Sequence, residues 1–131
     1  MNENEMPNLS FGWSENKEHN YENPNIFRSE YDIFCRNNDQ KSFQLTRICL
    51  RDGMNTIYDC NIDVADEFVI PAQGNRCRYI KDAEFSKIKK YCNDHNINEC
   101  IITVYIDYND YSYKIDMSKM RKEASFLKRN L

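Results

Sequence analysis

The apolar pattern of this chain is organised around the stretch Glu99 to Met117. Cys100 to Ile106 is one long apolar run, dense in the β-branched and aromatic residues that fit a pleated, buried surface. Asn109-Asp110 interrupts it, and Tyr111, Tyr113, Ile115 and Met117 then alternate with Ser112, Lys114 and Asp116. Two β-rich runs about a short polar break predict a hairpin. The first strand carries apolar residues on both faces, which suits the centre of a sheet and would invite aggregation at an edge.

The rest of the chain divides around that hairpin. Residues 1–24 show no sustained periodicity and are expected to form an extended or disordered N-terminal arm. Within it, Phe11 and Trp13 are either plugs for the domain's own core or anchors for a partner. Asn23-Pro24 resembles a helix start. Ile26, Phe27, Tyr31, Phe34 and Cys35 follow at helical spacing, predicting a helix over 24–36, with a strand over Tyr31 to Arg36 as the competing reading. Ser42 to Leu50 reads as a strand, Arg51-Asp52-Gly53 as a turn, and Thr56 to Val64 as a second strand with the clearest half-buried alternation in the chain. Phe68-Val69-Ile70 is a short third strand. Asp82 opens a helix with Phe85, Ile88, Tyr91 and Cys92 inward, and Ser118 opens a last one. The expectation is an α+β fold: a mostly antiparallel sheet of about five strands with two or three helices packed on it. Residues 25–131 would form that single domain, with a basic C-terminal helix or tail.

Composition changes this picture in three places. A length of 131 residues suits one compact domain. Asparagine occurs 17 times, an imbalance that reads as coding bias before function. The first ten residues lack a basic and an apolar segment of the secretory kind, and no apolar run is long enough to span a bilayer, so a cytoplasmic location without membrane contact is expected. There the six cysteines are expected as reduced thiols, mostly on apolar faces.

The available chemistry is thin. Cys92, His95 and Cys100 form the strongest metal candidate, but zinc takes four ligands in a structural site, and Cys77 or Asp94 would have to supply the fourth. A helix-end loop with two packed thiols is the preferred reading. A Cys–His nucleophile built from Cys77 and His95 has no local motif behind it. Three glycines leave no phosphate loop, dinucleotide fingerprint or nucleophile elbow. No catalytic residue, metal or cofactor is assigned, and no small-molecule substrate is expected.

Charge and tyrosine point to recognition instead. Residues 1–40 carry eight acidic and three basic side chains, whereas residues 114–131 carry six basic and two acidic ones. Tyr108 and Tyr111 flank the expected hairpin turn, where tyrosine offers rigid contact area with a polar tip. If Lys119, Arg121, Lys122, Lys128 and Arg129 of the tail converge with Arg76, Arg78 and the Lys87, Lys89 and Lys90 face, they form a patch able to contact phosphates, the alternative reading being a solvated amphipathic helix. The leading expectation is therefore a non-catalytic interaction protein on a larger protein or protein–RNA assembly. A ribonucleoprotein such as the ribosome fits, with the protein as an accessory or inactivating, hibernation-type factor and ribosomal RNA contacted through the basic tail. The alternatives are an inhibitor or immunity-type protein with one protein target, and a small metal- or cysteine-dependent enzyme.

Overall fold

The computed structural model describes residues 6–16 and 30–121. In chain order the strands are β1 (Leu9–Asn16), β2 (Glu30–Asn37), β3 (Phe43–Asp52), β4 (Asn55–Asn61), β5 (Val69–Ile70), β6 (Asn75–Arg78), β7 (Glu99–Ile106) and β8 (Asn109–Asp116). One α-helix, α1 (Asp82–Asp94), separates β6 from β7. The strands form two antiparallel sheets. One runs β4-β3-β7-β8, with β5 paired to the start of β3, and the other runs β1-β2-β6.

The five-stranded sheet is the one the hydrophobic pattern predicts. Its inner face carries Leu45, Ile48, Leu50, Tyr58, Ile102, Val104, Ile106 and Ile115, all buried. Each fully buried aliphatic side chain contributes about 1.5–3 kcal/mol relative to exposure. β7 lies between β3 and β8, the interior place its two apolar faces require. Its turn to β8 is Asp107-Tyr108, not Asn109-Asp110. The displacement is two residues, so the side-chain period survives and Tyr111, Tyr113 and Ile115 keep one face. Asp107 takes a φ of 57°, a conformation aspartate tolerates better than most residues. At the other end of the sheet, Gly53-Met54 joins β3 to β4, and Gly53 has a φ of 59°.

The three-stranded sheet was not foreseen. Leu9–Asn16, placed by the sequence in an arm, is strand β1 and pairs along its length with β2. The helix expected over 24–36 is a strand from Glu30 onward, while residues 24–29 lie outside the described residues. The reason is visible across the ladder. Phe11 and Trp13 stand opposite Cys35 and Ile33, so the apolar set of β2 that alternates with period two finds aromatic partners on β1. Arg76 and Arg78, expected before a helix, form β6 opposite Cys35 and Ile33.

Helical content is lower than expected: one α-helix among the described residues, against two or three. The segment beginning at Ser118 is a single 3-10 turn, Ser118–Met120, and residues 122–131 lie outside the described residues. α1 forms where predicted and buries Phe85, Ile88 and Cys92, packing near β4 and the Ser118–Met120 turn. Asp82 is its first residue, and Lys81 holds the cap position without a side-chain bond.

Two polar contacts lock the sheets together. Trp13, on β1, bonds the main chain of β8, and β1 runs beside β8 without pairing to it. Asn37 is fully buried at the end of β2, and its side-chain amide donates to the carbonyls of Lys41, Ile70 and Pro71. Its Oδ1 accepts the backbone N–H of Asp39 at 2.9 Å. A buried amide with every group partnered specifies one arrangement of the surrounding loops.

Candidate functional site

The two-residue turns leave large apolar side chains with nothing to pack against. Tyr108 is fully solvent-exposed at the β7–β8 tip, and Met54 is 98% exposed at the β3–β4 tip. Because β3 and β7 are antiparallel, these tips project from opposite ends of the five-stranded sheet. The Tyr108 end has a concavity beside it. An open groove of about 630 Å³ is lined by Met6, Pro7, Lys41, Phe43, Ile106 and Tyr111, among others.

The walls of this groove are held in place by hydrogen bonds from several elements. Tyr113 Oη donates to the Pro7 carbonyl at 2.7 Å, and the Asn8 N–H donates to Asp39 Oδ2 at 2.8 Å. Those bonds fix the chain entering β1 against β8 and the β2–β3 loop. Lys41 Nζ sits 5.4 Å from the centroid of the Phe43 ring. Ile106 forms the floor and is 8% exposed, while Met6 is 49% exposed on the rim. Burial raises the Tyr113 hydroxyl well above the ordinary tyrosine range, so it stays a neutral donor. A rigid apolar knob beside a mixed polar and apolar groove suits a contact surface.

The other residues singled out by the sequence are distributed as follows. Trp13 is 7% exposed and belongs to the core, so its ring is not offered to solvent. Phe11 is half-buried, its ring 5.3 Å from that of Tyr113. Tyr111 is half-buried in the groove wall next to the Tyr108 turn. Arg76 lies 4.7 Å over the Phe68 ring, and its Nη1 donates to the carbonyls of Glu67 and Val69. Arg78 stacks on the same ring at 5.9 Å. Lys119 donates to the Trp13 carbonyl and sits over Tyr31, and Arg121 donates to the Asn98 and Asn96 side chains. Lys122, Lys128 and Arg129 lie outside the described residues.

Arg121, bonded to Asn98, therefore does not gather with Tyr108. Asn98 immediately precedes β7 and Tyr108 follows it; an eight-residue strand separates its ends by roughly 25 Å. The Cys92–His95–Cys100 segment also splits. Cys92 and Cys100 point into the core, where burial pushes their thiols up to about 11 and about 12. His95 is exposed, stacks on Tyr91 and has its Nδ1 3.0 Å from the Tyr91 carbonyl. Among the described residues, no group of three or more metal-ligating side chains converges.

Part of the outer face of the five-stranded sheet is covered by its own side chains. Arg47 bonds Asp59 through two nitrogens at 2.9 and 2.7 Å and lies 4.9 Å over the Tyr105 ring. The hydrogen bond and charge of Arg47 hold the Asp59 carboxyl below its ordinary value. Sequence reasoning missed Met54, Met6 and the groove. Met54 was legible, since it directly follows the turn glycine. The groove was not, because its walls come from segments far apart in the chain.

The fold and site define a β-rich α+β protein of two antiparallel sheets with an exposed aromatic tip. No helix among the described residues is long and apolar enough to cross a membrane. No family model, curated protein or solved structure matches the chain.

Proposed function

We propose that this chain is a non-catalytic interaction protein that engages a larger partner through Tyr108 and the adjoining groove. The observation that carries the reading is the complete exposure of a tyrosine on a two-residue turn, beside a groove whose walls are fixed by hydrogen bonds. An aromatic ring held on a rigid turn binds with little loss of conformational freedom, and tyrosine is enriched among residues that dominate interfaces.

The partner classes are a single protein target, for which the protein acts as an inhibitor, and a ribonucleoprotein such as the ribosome, for which it acts as an accessory or inactivating factor. The first has the stronger support among the described residues. Arg76, Lys119 and Arg121 each spend donors on neighbouring groups, and Arg78 lies over Phe68 with Nη2 on Cys60 Sγ, leaving the exposed tip as the feature without an internal role. Affinity capture with the full chain and with Tyr108→Ala tests the reading. A protein captured by the wild type, retained from about 50 to 200 mM salt and weakened at least tenfold by Tyr108→Ala, supports it. Capture of ribosomal particles that falls steeply over that salt range, with Tyr108→Ala indistinguishable from wild type, transfers the contact to the basic residues.

A further inference from the structure

The six cysteines are free, and their surroundings differ. Cys35, Cys49, Cys92 and Cys100 are buried, and desolvation pushes Cys35 and Cys100 up to about 12. Thiols in that state are poor nucleophiles, since the thiolate is the reactive form. Cys77 is exposed on the far face of the three-stranded sheet, opposite Phe34. Cys60 combines access with a cation. It is half-buried on β4, and Arg78 Nη2 donates to its Sγ at 3.4 Å.

The placement of Arg78 is built into the fold. It stands opposite Ile33 at the end of β6, so its side chain leaves the sheet on the core side and lies against Phe68. Among the described residues it has no carboxylate partner, and its Nε–H is buried without an acceptor. A buried guanidinium donor left unbonded is costly and calls for an acceptor beside it. The Cys60 thiol proton points to the Asn61 carbonyl at 3.7 Å, and burial raises the neighbouring Tyr58 hydroxyl above the ordinary tyrosine range. The charges of Glu84 and Arg78 both act on that hydroxyl, in opposite directions.

We propose that Cys60 is a peroxide-sensitive modification site, with Arg78 holding first its thiolate and then the oxygen placed on its sulfur. The reaction takes a hydroperoxide as co-substrate. Sγ attacks the terminal peroxide oxygen, an S–O bond forms and the O–O bond breaks. Sulfur is oxidised by two electrons to the sulfenic acid, and the peroxide is reduced by two to an alcohol or water, which takes the displaced proton. The new oxygen is an acceptor beside a guanidinium whose Nε–H has none. This role is independent of the contact surface at Tyr108.

The test treats the full-length protein with hydrogen peroxide in the presence of dimedone and locates the adduct by peptide mass mapping, with iodoacetamide rates measured alongside. Cys60, beside the Arg78 guanidinium, is expected to react about tenfold faster than Cys77. Cys60→Ser removes the fast adduct and Cys77→Ser leaves it. Arg78→Leu slows the Cys60 reaction about tenfold, and Arg78→Lys, which keeps the charge, restores most of it. The proposal is overturned if Cys77 reacts first, or if folded Arg78→Leu reacts at the wild-type rate. Should Arg78→Leu fail to fold by circular dichroism, the order of Cys60 and Cys77 in the wild type decides alone.

Discussion

Trp13 donates its indole Nε1–H to the main-chain oxygen of Asp116 at 2.9 Å, bridging 103 residues of sequence and the seam between the two sheets. β1 and β8 are edge strands that run side by side without a ladder, so this bond and the buried ring take the place of strand pairing. Trp13→Phe keeps most of the apolar burial and loses the donor, with an expected cost of about 1–2 kcal/mol. Trp13→Ala also opens a cavity and is expected to cost about 3–5 kcal/mol. Urea unfolding followed by far-UV circular dichroism measures both, since the substitution removes the chain's single tryptophan fluorophore. Equal losses in the two variants would show that the hydrogen bond, and not the packing, closes the seam.

Asn37 makes a second prediction because all of its side-chain groups are used. Asn37→Ala strands the carbonyls of Lys41, Ile70 and Pro71 and the N–H of Asp39 in or near the core. The expected loss is about 2–4 kcal/mol, from unsatisfied groups and a small cavity together. Asn37→Asp replaces the donor with a carboxylate facing three carbonyls. It is expected to be less destabilising at acid pH, where the group is neutral and can still donate, than at neutral pH. A variant whose stability matches wild type at both pH values would remove the amide from its structural role.

How much of this architecture was legible depended on where each strand's partner lay. β3 and β4, and β7 and β8, pair as hairpins of close neighbours in sequence, and their alternation alone gave these strands to within a few residues, whereas the β3–β7 ladder that joins the two hairpins left no local sign. β1 and β2 could not be read that way. Ile33 and Cys35 fit either period until Trp13 and Phe11 are placed opposite them, and a segment flanked by Asn and Glu carries no local sign that its two aromatic rings face inward. Arg76 and Arg78 show the same limit in the candidate site. Their charges suggested an outward phosphate patch, whereas the ladder with β2 sends both to the inner face over Phe68. Tyr108 was legible as an exposed turn residue because a two-residue polar break leaves only a narrow choice of tip.

Alkaline pH is expected to destabilise the fold through its buried thiols. Desolvation raises Cys35 and Cys100 from 9.0 to about 12 and Cys92 from 9.0 to about 11. The unfolded chain loses these protons near pH 9, and the folded chain retains them until higher pH. Between those values the native state binds more protons than the unfolded state, so stability falls as pH rises. The contribution is fully present below about pH 9 and is lost progressively toward pH 11–12. Urea midpoints at about pH 7.5, 9 and 10.5 are expected to decrease monotonically above pH 9, and Cys35→Ala is expected to flatten that slope while lowering the midpoint at every pH. A midpoint constant from pH 7.5 to 10.5 would contradict the burial of these thiols.

The last prediction separates the two residues of the β7–β8 turn, which have opposite relations to the fold. Tyr108 touches solvent over its whole surface, so Tyr108→Ala is expected to change stability by no more than about 0.5 kcal/mol. Asp107, beside it, holds a φ of 57°, where a β-branched side chain crowds its own backbone. Asp107→Val is expected to cost about 1–2 kcal/mol, and Asp107→Asn to be nearly neutral because asparagine shares aspartate's tolerance of that region. Thermal or urea unfolding of the three variants checks the order. A destabilised Tyr108→Ala would mean that the ring packs on the molecule itself, and the tip would no longer be available as a knob for a partner.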